Sequence, residues 1–169
     1  MVIAVFGTGS DLEPYCGYAA AAGAAIARAG HDLLTGGRSG AMRAALSGYH
    51  SAGGSGQTLA VLPAGVEPLG DYQVVLRTNL PAPKRFEFDR FSRNYINARI
   101  CDAAVAVSPT GGTVTEIAWM LRLGKPCCFY GSLADLDLAR RSLREFPVEG
   151  PLPQLSPGED FQAFLGSLG

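Results

Sequence analysis

The chain has 169 residues, 47% of them hydrophobic and 17% charged, which excludes a disordered chain and suits one domain with a sizeable core. With 14 basic against 15 acidic residues the formal net charge is −1, and nothing in that balance suggests a nucleic-acid or anionic-membrane surface. The four cysteines (Cys16, Cys101, Cys127, Cys128) form no C-x-x-C pair, and only His31 and His50 could join them as ligands. Buried, reduced thiols and no metal site are therefore the expectation.

Taken in order, Val2–Phe6 (VIAVF) is a buried strand ended by Gly7-Thr8-Gly9. The opening MVIAVFG has no basic lead and too short an apolar run for a signal peptide, so a cytoplasmic protein is expected. Tyr15–Gly30 reads as a helix with a small-residue face closed by Gly30. Its alanine run, Tyr18–Ala29, holds Arg28 and falls short of the ~20 apolar residues needed to span a bilayer. Asp32–Thr35 (DLLT) is a second strand, ending at Gly36-Gly37, and Gly40–Ala52 a second helix. Thr58–Leu62 and Gln73–Leu76 are further strands, separated by a loop carrying Pro63, Gly65, Pro68 and Gly70.

In KRFEFDRFSRNYINARI, Phe88, Phe91 and Tyr95 recur at helical spacing and Ile96 pairs with Ile100, which predicts a helix over Phe88–Ile100. A strand follows at Ala103–Val107, then a helix at Thr113–Leu123 with Val114, Ile117, Ala118 and Leu121 on one face. Cys127–Tyr130 is the next strand. The tail holds a charged helix, Ala134–Glu145, a Pro-rich linker and a short helix near Asp160–Leu168.

Strands without polar alternation, joined through helices, predict an α/β fold: one doubly wound, mostly parallel sheet with helices on both faces, spanning residues 1–169 as a single domain. Ligands of such sheets bind at the carboxyl ends of the strands, where the strand order reverses. Three glycine-bearing turns follow strands: Gly7–Ser10, Gly36–Gly40 and Thr110–Thr113. They are expected to converge on one sheet edge and to bind a ligand.

A dinucleotide is disfavoured there. Gly7-Thr8-Gly9-Ser10-Asp11-Leu12 lacks the third glycine of G-x-G-x-x-G, and Gly36-Gly37 replaces the acidic residue that would take a ribose. No Gly-Lys-Ser/Thr of a Walker loop occurs. The remaining candidate is Ser108–Glu116, SPTGGTVTE, where the amides of Gly111, Gly112 and Thr113 would lie free at a helix start and the Thr113 hydroxyl could add a hydrogen bond to an anion. Thr113-Val114-Thr115-Glu116 equally fits the S/T-x-x-E capping box, in which Glu116 only bonds back to the helix start. Spacing leaves both readings open.

Together the segments Gly36-Gly37-Arg38-Ser39-Gly40-Ala41-Met42, Arg93-Asn94, Asp102 before a strand, and Gly112-Thr113-Val114-Thr115-Glu116 resemble the LOG (Lonely Guy) family, once labelled possible lysine decarboxylases. The similarity runs over roughly the first 130 residues and lies nearest the branch that includes the molybdenum cofactor carrier proteins. The resemblance implies a Rossmann-like fold and a phosphoribohydrolase that cuts a nucleoside 5′-monophosphate such as AMP into free base and ribose 5-phosphate, with no cofactor required. The alternative it implies is a non-catalytic nucleotide or molybdenum cofactor carrier, with that cofactor as ligand. Either way the partner is a small phosphorylated molecule, with no nucleic acid and no membrane, and the protein is a homodimer or higher homo-oligomer.

Carried over by motif, Arg93 and Glu116 are the catalytic candidates. An oxocarbenium-like transition state would be stabilised by the Glu116 carboxylate, with Arg93 orienting it. Gly7, Thr8, Ser10, Gly36, Gly37, Arg38, Asn94, Thr110, Gly111, Gly112 and Thr113 are the ligand- and phosphate-binding candidates. Against the family's P-G-G-x-G-T-x-x-E loop, Ser108-Pro109-Thr110 replaces the leading Pro-Gly-Gly, and Pro109 removes a backbone donor. Asn94 stands where a lysine is usual, and the Gly36–Met42 loop is one residue shorter. Arg38 and Asn94 point to the carrier branch, Arg93 and Glu116 to the hydrolase. Trp119 is expected in the core or a dimer interface. Phe86, Phe88 and Phe91 are expected to be buried against the sheet, with a base-pocket wall as the other possibility.

Overall fold

The computed structural model describes residues 1–80, 88, 90–156 and 161–168. Its elements are β1 Val2–Phe6, α1 Tyr15–Arg28, β2 Asp32–Thr35, α2 Ala41–Ser51, β3 Thr58–Pro63, β4 Val74–Thr78, α3 Arg93–Ile100, β5 Ala103–Ala106, α4 Gly111–Arg122, β6 Cys127–Tyr130, α5 Leu133–Leu143, β7 Gln154–Leu155 and α6 Phe161–Gly166. The seven strands form one sheet in the order β4-β3-β2-β1-β5-β6-β7, and every pairing is parallel. This is the doubly wound, Rossmann-like α/β fold that the runs of apolar residues predict.

Period-two geometry splits each central strand between two cores. Ile3 and Val5 of β1 pack with α1, α2 and α6, whereas Ala4 and Phe6 pack with α3, α4 and α5. β5 and β6 are buried along their whole length, which is why their sequences, AAVA and CCFY, show no polar alternation. β4, at the edge, is half-exposed. The small-residue face of α1 exists because α1 and α2 touch through their backbones: a Cβ on Gly23 would enter the Ala45 carbonyl, and one on Gly48 the Ala20 carbonyl.

Most predicted ends hold to within two residues. The helix expected from Phe88 begins at Arg93, because the Ser92 hydroxyl accepts the Tyr95 amide at 3.3 Å and fixes the start there. Phe91, which completed the helical spacing, is 72% exposed. The helix expected from Thr113 begins at Gly111. The Pro-rich tail also hides β7, a two-residue strand that pairs with β6 and is too short to carry a pattern.

Lys125 closes a junction below the sheet. Its ammonium donates to the carbonyls of Ala98, Arg99 and Cys101 at 3.0, 2.7 and 2.6 Å, where the last turn of α3 leaves acceptors open. Asp102, one of the resemblance markers, accepts the Val2 amide at 2.8 Å and so braces the entry of β1 against β5, at the opposite end of the strands from their carboxyl termini. Three cysteines are buried, Cys16 is half-buried, and all are free. Among the described residues no helix is long and apolar enough to cross a membrane.

Candidate functional site

The chain runs outward from β1 to β4 in one direction and, after crossing back, from β5 to β7 in the other, so the order reverses between β1 and β5. At their carboxyl ends a cavity of about 360 Å³ opens, within the roughly 300–1,000 Å³ of small-ligand pockets. Gly7, Thr8 and Gly9 line it after β1, and Gly36, Arg38, Ser39 and Met42 after β2. Arg93 and Asn94 come from α3, and Thr110, Gly112, Thr113 and Glu116 from the β5–α4 turn. The three glycine turns do converge. Ser10, Gly37 and Gly111, also expected to bind the ligand, do not line the cavity.

Two of the turns are locked by each other. Ala41 donates its amide to the Thr8 carbonyl at 3.0 Å, and the Ser39 hydroxyl donates to the Gly9 carbonyl at 2.6 Å. Gly7 has a packing reason for being glycine, since a Cβ there would sit 2.5 Å from Ala41 Cβ and 2.8 Å from Val107 Cγ2. Gly37 is turned to the sheet: its φ is +68°, its amide goes to Thr35 Oγ1 at 3.0 Å, and its carbonyl takes the Leu69 amide at 2.9 Å. On the rim, the exposed Arg38 has no hydrogen bond or ion pair among the described residues.

The β5–α4 turn differs from these. Its first intrahelical bond runs from the Val114 amide to the Thr110 carbonyl at 2.8 Å, leaving the amides of Gly111, Gly112 and Thr113 as first-turn donors. Thr110 gives them no side-chain cap; its hydroxyl lies 3.0 Å from Thr113 Oγ1, and Ser108 Oγ lies 3.4 Å from both. Gly112 is exposed, and a Cβ placed on it would meet nothing within 4 Å. No packing inside the chain requires glycine there. Glycine in a helix nonetheless costs roughly 0.5–1 kcal/mol relative to alanine, and Gly112 lines the cavity.

The capping-box reading fails. Thr113 is the third residue of α4, not its cap, and Glu116 faces the cavity with its Oε1 taking a 2.7 Å hydrogen bond from Asn97 Nδ2. Glu116 is 8% exposed. Burial pushes its carboxyl up from 4.5 to about 7, against the opposing effects of the Asn97 bond and of Arg93. Asn97 itself is fully buried, and its Oδ1 has no partner among the described residues.

Arg93 shares the cavity but does not clamp the carboxylate as the resemblance implies. Its Nη1 donates to the Gly36 carbonyl at 3.1 Å, and its buried Nε has no partner among the described residues. Burial lowers its pKa, Glu116 opposes that, and Arg38 adds to it; a guanidinium starts high enough to stay charged. Asn94 Nδ2 donates to the Gly112 carbonyl at 3.3 Å, tying the first turn of α3 to that of α4. Asn97 is the residue missed from sequence. The available signal was its place four residues after Arg93, one helical turn along the same face.

The aromatic candidates go elsewhere. Phe88 stacks on Trp119 with centroids 3.9 Å apart, and Phe88, Phe91 and Trp119 line a separate groove beyond α4. Trp119 is 5% exposed, in the core as expected. Phe86 lies outside the described residues. The base-pocket wall is therefore not formed by Phe88 or Phe91.

A doubly wound sheet with a polar, guanidinium-bearing crevice at its switch point defines a Rossmann-like α/β protein. Residues 1–147 match the SLOG cluster4 family, and the chain belongs to that family. It is 32% identical over 126 residues, 74% of this chain and 76% of the other, to an uncharacterized protein of Archaeoglobus fulgidus. The molybdenum cofactor carrier protein of Chlamydomonas reinhardtii superposes with a TM-score of 0.73 at 29% identity, over 99% of this chain and 96% of that one. The molybdenum cofactor binding protein of Rippkaea orientalis does so with a TM-score of 0.74 at 27% identity, again over 99% and 96%.

Proposed function

We propose that this chain binds a small phosphorylated ligand without transforming it, and that the ligand is the molybdenum cofactor or a close pterin relative. The observation that carries the reading is Gly112: a helix-start glycine with no packing role, its amide open to a cavity that two guanidinium groups also line. Backbone donors of a first turn, the helix dipole and nearby arginines together favour an oxyanion. The likeness to a carrier protein and to a binding protein for the molybdenum cofactor supports the choice of ligand.

The donor set fits such a cargo. The cofactor is a pterin bearing a phosphate and an oxo-metal group, so it presents negative charge at more than one point. Among the described residues no cysteine or histidine lines the cavity. The protein would therefore hold the phosphate and the pterin, leaving the metal with the ligands it arrives with. Gly112 and Thr113 would take the phosphate with Thr110, and Arg38 would close over it from the rim. The reading takes residues 1–169 as one unit that acts as a cytoplasmic homodimer.

A second reading is favoured by one observation, that Glu116 and Arg93 line the same cavity. In that reading water adds to the anomeric carbon of a nucleoside monophosphate as the bond to the base breaks. The bond's electron pair leaves with the base, which takes up a proton, and ribose 5-phosphate remains. Glu116 would stabilise the charge on the ribose.

One experiment separates the two. The protein is titrated calorimetrically with the molybdenum cofactor and with AMP, and the AMP mixtures are assayed for adenine. Binding without adenine release is the expected result. Adenine released by the wild type and not by Glu116→Gln would establish the hydrolase instead, and no binding of either ligand would overturn both readings.

A further inference from the structure

Asn97 and Glu116 form a buried pair directly beneath the proposed anion site. The pair joins α3 to α4, with Nδ2 to Oε1 at 2.7 Å, and leaves Asn97 Oδ1 as a fully buried acceptor without a partner among the described residues. A buried acceptor left open is costly, about 1–3 kcal/mol, and needs a physical reason. A carboxamide can face a carboxyl group in two ways. It donates through Nδ2 when the carboxyl is ionised, and after turning over it accepts through Oδ1 when the carboxyl carries a proton. The open Oδ1 is what the second state would use.

The surroundings leave Glu116 as the group that changes charge. Arg93 from α3 and Arg38 from the β2–α2 turn are the cations facing it across the cavity, and no other carboxylate among the described residues lines that space. The thiols within electrostatic reach, Cys101 at the end of α3 and Cys127 on β6, are pushed up by burial, Cys101 to about 12, so both stay neutral. An ionised Glu116 therefore cancels one of two positive charges in a cavity whose ligand is itself negative.

On the reading that this cavity captures an anion, we propose that Asn97 and Glu116 are its proton-dependent floor. A proton on Glu116 tightens anion capture, its loss loosens it, and Asn97 is the positioning residue that can pair with the carboxyl in either state. Anion binding then takes up a proton near neutral pH, and the protein lets its ligand go more readily as the pH rises through that range. This matches the group's position: the carboxyl already titrates about where a cell operates, so a modest change moves its occupancy most.

The test uses sodium sulfate, a dianion whose own charge is constant over the range, at fixed ionic strength. Binding is read from the amide NMR signals of Gly112 and Thr113 between about pH 6 and about pH 8.5. Wild type is expected to bind roughly tenfold more tightly at the lower end. Glu116→Gln flattens the profile. Asn97→Leu, of similar size and without the donor that favours the carboxylate, moves the midpoint of the profile upward; a merely structural role for Asn97 would lower affinity equally at every pH.

Should Asn97→Leu not fold, the wild-type side-chain carboxyl of Glu116 is followed by carbon-13 NMR instead. A midpoint near 7 that rises with sulfate supports the proposal, and one that ignores sulfate overturns it. A pH-independent sulfate affinity, or an unmoved midpoint in Asn97→Leu, also overturns the proposal while leaving the anion site standing. If sulfate perturbs neither amide at any pH, the binding reading itself fails, and the proposal with it.

Discussion

Replacing Glu116 by Gln should stabilise the protein, by an amount that grows as the pH rises above about 4.5 and levels off above about 7. The carboxyl ordinarily titrates at 4.5 and does so at about 7 in this fold, chiefly because burial disfavours its charged form. A group whose folded pKa is raised binds its proton more tightly in the native state. Native stability is therefore full below about pH 4.5, falls as the pH rises from there through 7, and is level above that. The accumulated loss is about 3 kcal/mol. Gln keeps the shape and an oxygen for Asn97 Nδ2, now held at 2.7 Å by the carboxylate, but never ionises. The variant should match wild type near pH 4 and exceed it by about 3 kcal/mol at pH 8, or roughly 6–12 °C in Tm for a domain of this size. Urea unfolding at a series of pH values, with the slope checked for constancy, measures it. A variant less stable than wild type at pH 8, or a difference that does not change with pH, would refute the reasoning and mean that the cavity's cations hold Glu116 ionised.

The glycines offer a paired test. Gly112→Ala meets no atom within 4 Å and should leave stability unchanged or raise it by up to about 1 kcal/mol, while ligand affinity falls roughly tenfold or more. Gly7→Ala places a Cβ 2.5 Å from Ala41 Cβ and should destabilise by about 1–3 kcal/mol, as thermal melts of both variants will show. Lys125→Met removes the donor to three carbonyls between α3 and β5. It should cost about 1–3 kcal/mol and leave the cavity's ligand affinity, measured by calorimetry, within a factor of about two.

The sheet and its helices were legible because each carries a period. VIAVF, AAVAV and CCFY are apolar throughout, since their strands are covered on both faces, and Val114, Ile117, Ala118 and Leu121 mark one side of α4. The convergence of three turns followed from topology alone, because all three leave the carboxyl ends of parallel strands. What stayed hidden depends on contacts that spacing does not encode. Phe88, Phe91 and Tyr95 keep helical spacing although a serine cap starts α3 only after Phe91. The cap of α4 slipped from Thr113 to Thr110 because Gly111 and Gly112 are poor helix formers, yet tertiary packing of Val114 and Ile117 carries them into the first turn. That slip decides the chemistry, for it turns Glu116 from a capping side chain into a cavity wall. Asn97 carried only its spacing from Arg93 as a signal, for a related reason: an asparagine inside a helix reads as neutral until its partner on another helix is known.

The same contacts weigh on the choice between carrier and hydrolase. A carboxylate that must meet a developing positive charge on a sugar is useful only while ionised, and an arginine bonded to it would lower its pKa by about 1–3 units. Here Arg93 Nη1 is committed to the Gly36 carbonyl, and no ion pair within 4.0 Å joins it to Glu116 among the described residues. A neutral amide binds Glu116 Oε1 instead, and burial holds the carboxyl's pKa up at about 7. For a hydrolase that is lost activity. For a protein that only holds an anion, an uncharged Glu116 removes the one carboxylate charge that lines the cavity among the described residues. The residues that resemble a catalytic pair are both present, but the bond shown on Glu116 comes from Asn97 and the one shown on Arg93 goes to the Gly36 carbonyl.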